Sequence, residues 1–191
     1  MKQFIKKYKY YIIIISIYIL VYFYFFLFTK NFLSYFTFQI NDLMTFIIIL
    51  ICSLPILYIA NLHIKYGELG FNKKNLKNII PIIFYATFLI SIPEEIIFRG
   101  YIQSYLENIF SSNMFLNFIG PIFISSIIFG FAHIFNGAKG LKPKNWNYKL
   151  LQITFIIGIF LGIAYFQTNS LIVPIMLHTT YLLISNILII K

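Results

Sequence analysis

Long apolar runs dominate the chain, and short polar stretches separate them. A membrane-spanning helix needs about 20 mainly apolar residues, and six segments approach or reach that length. These segments are 10–28, 43–62, 79–93 with its apolar continuation, 115–135, 150–166 and 171–190. The pattern therefore predicts an all-α fold, a polytopic membrane helix bundle with about six transmembrane helices, in which residues 1–191 form a single integral membrane domain.

The composition excludes two large classes of protein. Of the 191 residues, 60% are hydrophobic and only 10% are charged, whereas a soluble domain is about 25% charged and 45–50% apolar. A typical soluble globular domain and a disordered chain are both incompatible with these values. We also expect the first apolar run to be retained, because it is too long for a signal peptide and no small-residue cleavage site follows it.

The basic residues follow a topological pattern. The chain has 15 Lys and Arg against 5 Asp and Glu, which gives a formal net charge of +10. Cytoplasmic loops of membrane proteins carry the excess of Lys and Arg, and the lysine groups alternate with loops that are poor in positive charge. We therefore expect a multi-pass protein of the cell membrane with both termini in the cytoplasm, in contact with the lipid bilayer and not with nucleic acid. The three groups are Lys2, Lys6, Lys7 and Lys9; Lys65, Lys73, Lys74 and Lys77; and Lys139, Lys142, Lys144 and Lys149.

A small charged cluster departs from this pattern. Glu94, Glu95 and the sole arginine, Arg99, lie inside the apolar stretch 89–102. An ionised side chain at the centre of a membrane costs about 2.5–3.5 kcal/mol on insertion scales, and such groups usually face the bundle interior or a water-filled cavity. Glu95 and Arg99 are four residues apart and can pair on one helix face. Glu94 and Arg99 diverge by about 140° in an α-helix, which leaves one carboxylate available.

Local signals around the cluster predict a helix start. Pro93 suits the first turn of a new helix, with Ser91 or Ile92 at the cap. Glu94 and Glu95 would then lie in that first turn, where the helix dipole favours negative charge.

Two histidines occur inside later apolar runs. Phe129 and His133 share a helix face in the fourth predicted span, where Gly130 and Ala132 would permit close helix packing. His178 lies about two turns inside the last span. A carboxylate with a neighbouring histidine can activate water. Alternatively, a glutamate and two histidines can bind zinc and leave a position for water, and the spacing alone leaves both chemistries open.

These residues resemble the motifs of the CAAX protease and bacteriocin-processing family. Segment 94–100, EEIIFRG, resembles the first motif, EExxxR, and segment 129–133, FGFAH, resembles the second, FxxxH. Segment 158–178, which ends in a histidine, resembles the third region. The resemblance covers residues 80–187 as a protease-like core, which two N-terminal spans in 1–62 precede.

The resemblance implies an intramembrane endopeptidase of the type II CAAX prenyl endopeptidase kind, which hydrolyses a peptide bond in a membrane-associated peptide or protein. It implies that Glu94 activates water with His133 as catalytic partner, and that Glu95 and Arg99 support Glu94. Members of the family have been described as metal-dependent and as metal-free glutamate proteases. We favour the metal-free mechanism, which needs no cofactor, and zinc is the alternative.

The remaining roles complete the predicted site. His178 would help to stabilise the tetrahedral oxyanion, and Phe129 is predicted to contact the substrate. Zinc, if it is used, would bind through Glu94, His133 and His178. Glu94 and His133 must share a depth in the membrane, and a kink or partial re-entry at Pro93 would bring them together.

One position departs from the family pattern. The family commonly has Asn four residues after the last histidine, but this chain has Leu182 there, and Asn186 follows one turn later. A missing oxyanion donor can cost about 2.7–4 kcal/mol of transition-state stabilisation. The departure motivates the alternative of a non-catalytic membrane protein, a bacteriocin-immunity factor or scaffold that retains the fold. A small transporter or channel is a third hypothesis, although the sequence shows no inverted repeat.

Overall fold

The structure, a computed structural model, describes residues 32–62, 83–134, 143 and 146–188. Every regular element in these ranges is helical. The predicted first span, 10–28, and most of the lysine-rich loops lie outside the described residues. After a short 3₁₀ turn, Phe32–Phe36, come five helices: α1 (Ile40–Leu62), α2 (83–109), α3 (Met114–His133), α4 (Tyr148–Thr168) and α5 (Ile172–Leu188).

Helix α2 is continuous but changes its winding along its length. Wide π-helical turns at Tyr85–Ser91 and Ile96–Gln103 alternate with α-helical turns at Ile92–Glu95 and Ser104–Ile109. A π-helix closes its hydrogen bonds between residues five apart, and such turns occur frequently at functional sites. The first π-helical stretch precedes the charged cluster, and the second contains Arg99.

The predicted helix start at Pro93 is wrong. Ser91 already has helical angles, φ −63° and ψ −47°, and makes no side-chain cap. The N–H of Ile92 donates to the carbonyl of Thr87, five residues earlier. In a regular α-helix the proline ring would collide with the carbonyl four residues before it, and the wide turn gives that ring room. Glu94 therefore does not lie at a free helix N-terminus, and its charge needs other partners.

The polar residues of α2 repeat every four positions. Ser91, Glu95, Arg99 and Gln103 are all buried, and Glu107 at the end of the series is half-buried. Each four-residue step in an α-helix advances about 40° beyond a full turn, and the larger π-helical turn offsets that advance. The series consequently stays on the protein-facing side of α2, where its members bond to α3, α4 and α5.

Helices α3 and α4 pack closely because glycines lie between them. A Cβ atom on Gly130 would lie 3.0 Å from the Leu151 carbonyl oxygen, and one on Gly158 would lie 3.0 Å from Ser126 Cβ. Small residues allow this close approach in membrane helix pairs. The predicted packing role of Gly130 is confirmed, whereas Ala132 is exposed and takes no part because it faces away from α4.

Two of the described helices are long and apolar enough to cross a membrane, α3 with 20 residues and α4 with 21. The helices α1 and α5 contain shorter apolar stretches, Ile40–Ile56 and Ile172–Ile184. Large hydrophobic side chains are exposed along α1 and α3, as contact with lipid requires. The count of six spans and the cytoplasmic location of both termini stay predictions.

The segment before α1 covers the beginning of α5. The N–H of Leu171 donates to the carbonyl of Tyr35 at 2.7 Å, and the hydroxyl of Ser170 donates to the carbonyl of Thr37. Tyr35 also packs against the buried side chains of Ile96 and Leu171. These contacts fix the start of α5 relative to α2, and they therefore set where the middle of α5 meets the charged cluster.

We expect the Gly158→Ala substitution to destabilise the protein by about 1–3 kcal/mol, the usual cost of overpacking. The added methyl group would meet both Cα and Cβ of Ser126, at 3.1 and 3.0 Å, so the two helices must separate. Thermal unfolding in detergent measures the effect. Gly120→Ala is the matched control, because its methyl group meets only the ring of Phe110, which can move. Equal effects of the two substitutions would contradict this account of the α3–α4 contact.

Candidate active site

Three helices bring all the predicted site residues into one buried cluster. Helix α2 supplies the two glutamates and the arginine, α3 supplies the phenylalanine and the histidine of the second motif, and α5 supplies the last histidine. The charged and imidazole side chains are therefore inside the protein and not in contact with lipid. The residues are Glu94, Glu95, Arg99, Phe129, His133 and His178, all of them buried.

Glu95 and Arg99 form the predicted ion pair. Arg99 Nε donates to Glu95 Oε2 at 3.1 Å, and both side chains are 0% exposed. Arg99 Nη1 donates to the hydroxyl of Ser125 in α3 at 3.3 Å. The other oxygen of Glu95, Oε1, lies 2.8 Å from His178 Nδ1 in α5. One buried ion pair thus joins α2, α3 and α5.

The hydrogen bond to Glu95 determines the orientation of His178. An ionised carboxylate only accepts hydrogen bonds, so His178 Nδ1 carries the hydrogen. The other ring nitrogen, Nε2, then faces Glu94 Oε2 at 3.8 Å. His178 is therefore held on one side by Glu95 and presents its second nitrogen to Glu94.

His133 is oriented in the same way by a backbone group. Its Nδ1 lies 2.8 Å from the carbonyl oxygen of Phe129, four residues earlier in α3. A carbonyl oxygen accepts and cannot donate, so Nδ1 is the donor in this bond as well. His133 Nε2 lies 3.5 Å from Glu94 Oε2. Both imidazole rings thus direct the same ring nitrogen at the same carboxylate oxygen.

The two adjacent glutamates have different surroundings. Glu95 is fully buried and bonded to Arg99 and His178, whereas Glu94 retains 8% exposure and faces the two Nε2 atoms.

Glu94 and His133 lie at the same depth without a break in helix α2 at Pro93. Helix α3 runs back antiparallel to α2 after a short turn, and its last residue, His133, lies beside the middle of α2. Helix α2 continues without a break through Pro93, so no re-entry occurs there, and a kink at Pro93 stays a prediction.

Phe129 lies at the centre of the cluster. Its ring is 4.5 Å from the ring of His133 and 5.8 Å from that of His178, between centroids. The guanidinium carbon of Arg99 lies 5.3 Å from the Phe129 centroid, and Phe98 packs edge-on at 4.9 Å. Phe129 is only 1% exposed. This burial is at odds with the predicted substrate contact, because the site's own side chains cover the ring.

The site offers donor types that zinc accepts, namely two imidazole nitrogens and a carboxylate oxygen. A carbonyl or carboxylate also holds each Nδ1, as in many zinc sites. Within the described ranges, however, no group of three or more His, Cys, Asp or Glu side chains is arranged to hold a metal ion. Zinc binding through Glu94, His133 and His178 stays a prediction, and the mechanism proposed below uses the protein's own side chains.

Leu182 is buried on α5, one turn beyond His178, and is 7% exposed. Its side chain has no hydrogen-bond donor, so it cannot replace the amide that the family commonly has there. The side chain of Asn186 lies outside the described residues.

The structure adds polar residues that the sequence analysis missed. Ser125 accepts a hydrogen bond from Arg99, and Thr179 donates to Ser91 at 3.1 Å. Gln103 Nε2 donates to the carbonyl of Gly162 at 3.0 Å. The four-residue spacing along α2 was a signal that would have found Ser91 and Gln103. No local pattern points to Ser125 or Thr179, because their partners are far away in the sequence.

The comparisons with known proteins identify the family of the chain. A family model described as Rce1-like type II CAAX prenyl endopeptidase matches residues 76–184, and the chain therefore belongs to that family of membrane-embedded peptidases. The matched segment includes the whole cluster. This membership confirms the resemblance found in the sequence motifs.

A curated relative carries a more specific description. The chain is 32% identical over 100 residues to the membrane-embedded CAAX protease MroQ of Staphylococcus aureus (strain USA300). The aligned region covers 52% of this chain but only 36% of that protein, so the chain matches little more than a third of its relative. No solved structure matches the chain.

We expect Arg99→Met to destabilise the protein strongly, by about 3–5 kcal/mol, because it leaves the Glu95 carboxylate buried without its main partner. The double variant Glu95→Gln with Arg99→Met should recover part of this loss. A glutamine at position 95 is neutral and can still accept the hydrogen bond from His178. Unfolding in detergent compares the variants. A double variant less stable than Arg99→Met alone would contradict this interpretation of the pair.

Proposed function

We propose that this protein is an intramembrane endopeptidase that hydrolyses a peptide bond in a membrane-associated peptide or protein, with Glu94 as the general base. The observation that carries the proposal is the convergence of His133 Nε2 and His178 Nε2 on Glu94 Oε2, at 3.5 and 3.8 Å. A carboxylate and two imidazoles within this distance can hold and deprotonate one water molecule. The membership of a peptidase family supports the same reaction.

Glu94 is the better base of the two glutamates. Both oxygens of Glu95 already accept hydrogen bonds, one from Arg99 and one from His178. Glu94 retains some exposure and faces ring nitrogens whose lone pairs are directed at it, because the Nδ1 atoms carry the hydrogens. A water molecule that donates to Glu94 and to His133 Nε2 satisfies both acceptors.

The hydrolytic step balances with these groups alone. Glu94 takes one proton from the water as its oxygen adds to the carbonyl carbon of the scissile peptide bond. The proton then passes through Glu94 or His133 to the leaving nitrogen as the carbon–nitrogen bond breaks. The first products are a carboxylic acid and an amine, and the site returns to its starting protonation state. The acid then gives its proton to the new amine, which leaves a carboxylate and an ammonium group.

His178 has the geometry to stabilise the oxyanion. Its Nε2 can donate to a developing negative charge when the ring is doubly protonated, and Glu95 at 2.8 Å from Nδ1 stabilises that cationic ring. Preorganised donors of this kind contribute strongly to acyl-transfer catalysis. Since the side chain of Leu182 offers no donor, His178 contributes more to oxyanion stabilisation here than it would in a site that has the asparagine amide.

The surroundings of the site indicate where substrate comes from. The exposed apolar side chains of α1 and α3 support a multi-pass protein of the cell membrane, in contact with the lipid bilayer. We therefore propose a membrane-associated peptide or protein as the substrate, and no nucleic acid as a partner. A non-catalytic immunity or scaffold role is not favoured, because the matched family and the curated relative are both described as proteases.

We expect Glu94→Gln to abolish peptide cleavage, because the amide cannot accept a proton from water. The measurement incubates the purified protein in detergent with membrane-associated candidate peptides and detects products by mass spectrometry. Glu107→Gln is the matched control. It is the same change on the same helix, and the new amide oxygen can still accept the bond from Gln103 Nε2.

The expected outcome is loss of cleavage for Glu94→Gln and His133→Ala, with full cleavage by Glu107→Gln. Full cleavage by the first two variants would exclude the proposed mechanism. A different outcome would support the non-catalytic alternative. In that case none of the proteins cleaves peptide, and all three variants protect a bacterium from a bacteriocin as well as the unchanged protein does.

We also expect cleavage to persist after treatment with a chelator and dialysis, because the proposed mechanism uses no metal. Metal analysis of the dialysed protein by inductively coupled plasma mass spectrometry accompanies the assay. Loss of cleavage on chelation, restored by zinc but not by magnesium, would instead establish the zinc alternative through Glu94, His133 and His178.

A further inference from the structure

We propose that Phe129 is a positioning residue, which orients both histidines and the arginine and does not bind the substrate. The proposal deepens the function proposed above and rests on it. The proposal is an alternative to the predicted substrate contact. It rests on the contacts of the buried Phe129 ring with three groups of the site. These groups are His133, His178 and Arg99.

The aromatic contacts fix the two imidazole planes from one side. Phe129 and His133 lie at an interplanar angle of 55° with centroids 4.5 Å apart, and Phe129 and His178 meet edge-to-face at 85°. Aromatic pairs in this range of distances attract one another beyond simple burial, and they favour particular angles. One ring therefore restrains the relative orientation of two side chains from different helices.

The backbone of the same residue completes the restraint on His133. The Phe129 carbonyl accepts the hydrogen from His133 Nδ1 at 2.8 Å, while the Phe129 ring packs against the imidazole. The carbonyl selects the tautomer, and the ring limits rotation about the hydrogen bond. Together they direct His133 Nε2 at Glu94.

The cation adds a third contact. The guanidinium of Arg99 lies over the Phe129 ring, 5.3 Å from its centroid, within the distance at which a cation is attracted to an aromatic face. Arg99 also holds Glu95, which in turn holds His178. An aliphatic side chain at position 129 would fill space but would lose this attraction and both ring–ring contacts.

The neighbours of Phe129 explain why it does not meet the substrate. Phe98 packs edge-on against it at 4.9 Å, and only 1% of the residue is exposed. A substrate could touch the ring only after the histidines or Phe98 moved away. The consequence is kinetic, because a positioning residue changes the rate of the chemical step while a substrate contact changes binding.

The test compares Phe129→Leu and Phe129→Met with Phe123→Leu. Phe123 lies on the same helix, is 48% exposed and packs edge-on against Phe155, so it is a matched control outside the site. Peptide cleavage is measured as kcat, KM and the pH profile of kcat. Phe129→Met keeps most of the volume, so this variant serves if the leucine variant does not fold.

We expect kcat to fall about 10- to 100-fold for the Phe129 variants, the scale of small misplacements of reacting groups. We expect KM to stay unchanged and the pH profile of kcat to shift, because both imidazole rings then change their orientation towards Glu94. A rise in KM with unchanged kcat and pH profile would establish the substrate contact and overturn the proposal. Values equal to those of Phe123→Leu would overturn it as well.

A second readout needs no activity. Nitrogen-15 NMR of histidine-labelled protein reports which ring nitrogen carries the hydrogen. We expect Phe129→Met to change the signals of His133 and His178, assigned with single His→Gln variants, and Phe123→Leu to leave them unchanged. If Glu94→Gln still cleaves peptide, the proposed function fails. If Glu94→Gln is inactive and the Phe129 variants match the control in both readouts, only the present inference fails.

Discussion

The buried ion pair of Glu95 and Arg99 is the constraint on which the rest of this structure depends. Two fully buried charges are costly unless their remaining hydrogen-bonding atoms find partners. Ser125 on α3 and His178 on α5 supply those partners at 3.3 and 2.8 Å. Satisfying one pair thus requires three helices to meet at one depth. The same meeting places two imidazole rings beside the second carboxylate, Glu94.

The winding of α2 makes this meeting possible. Consecutive carboxylates on a uniform α-helix would point about 100° apart, and a long polar series spaced by four would drift around the helix. The π-helical turns at Tyr85–Ser91 and Ile96–Gln103 keep the series facing α3, α4 and α5. They also accommodate Pro93 inside the helix. The irregular winding therefore serves the packing of the charges and the placement of Glu94 together.

The sequence could predict what short-range geometry controls. The four-residue spacing predicted the contact of Glu95 with Arg99, and the motifs predicted which histidines matter. The convergence of His178 on residues 83 positions earlier depends on tertiary packing, which no local pattern encodes. The predicted helix start at Pro93 is wrong. Proline commonly occupies the first turn of a helix, but here a wide π-helical turn accommodates it inside α2. The substrate contact of Phe129 stays a prediction, because a motif names a residue without showing what covers it.

The adjacent glutamates show how one site can hold both a fixed charge and a reactive one. Arg99 balances the charge of Glu95, and this leaves Glu95 free to stabilise a cationic His178 without leaving the protein interior with a net negative charge. Glu94 retains some exposure, and its oxygen faces nitrogens that can exchange a proton. Leu182 makes this arrangement more important for stabilising the oxyanion, because its side chain offers no donor on the helix face that carries His178. The oxyanion must then rely on the His178 ring, which is held by Glu95 of the ion pair on α2.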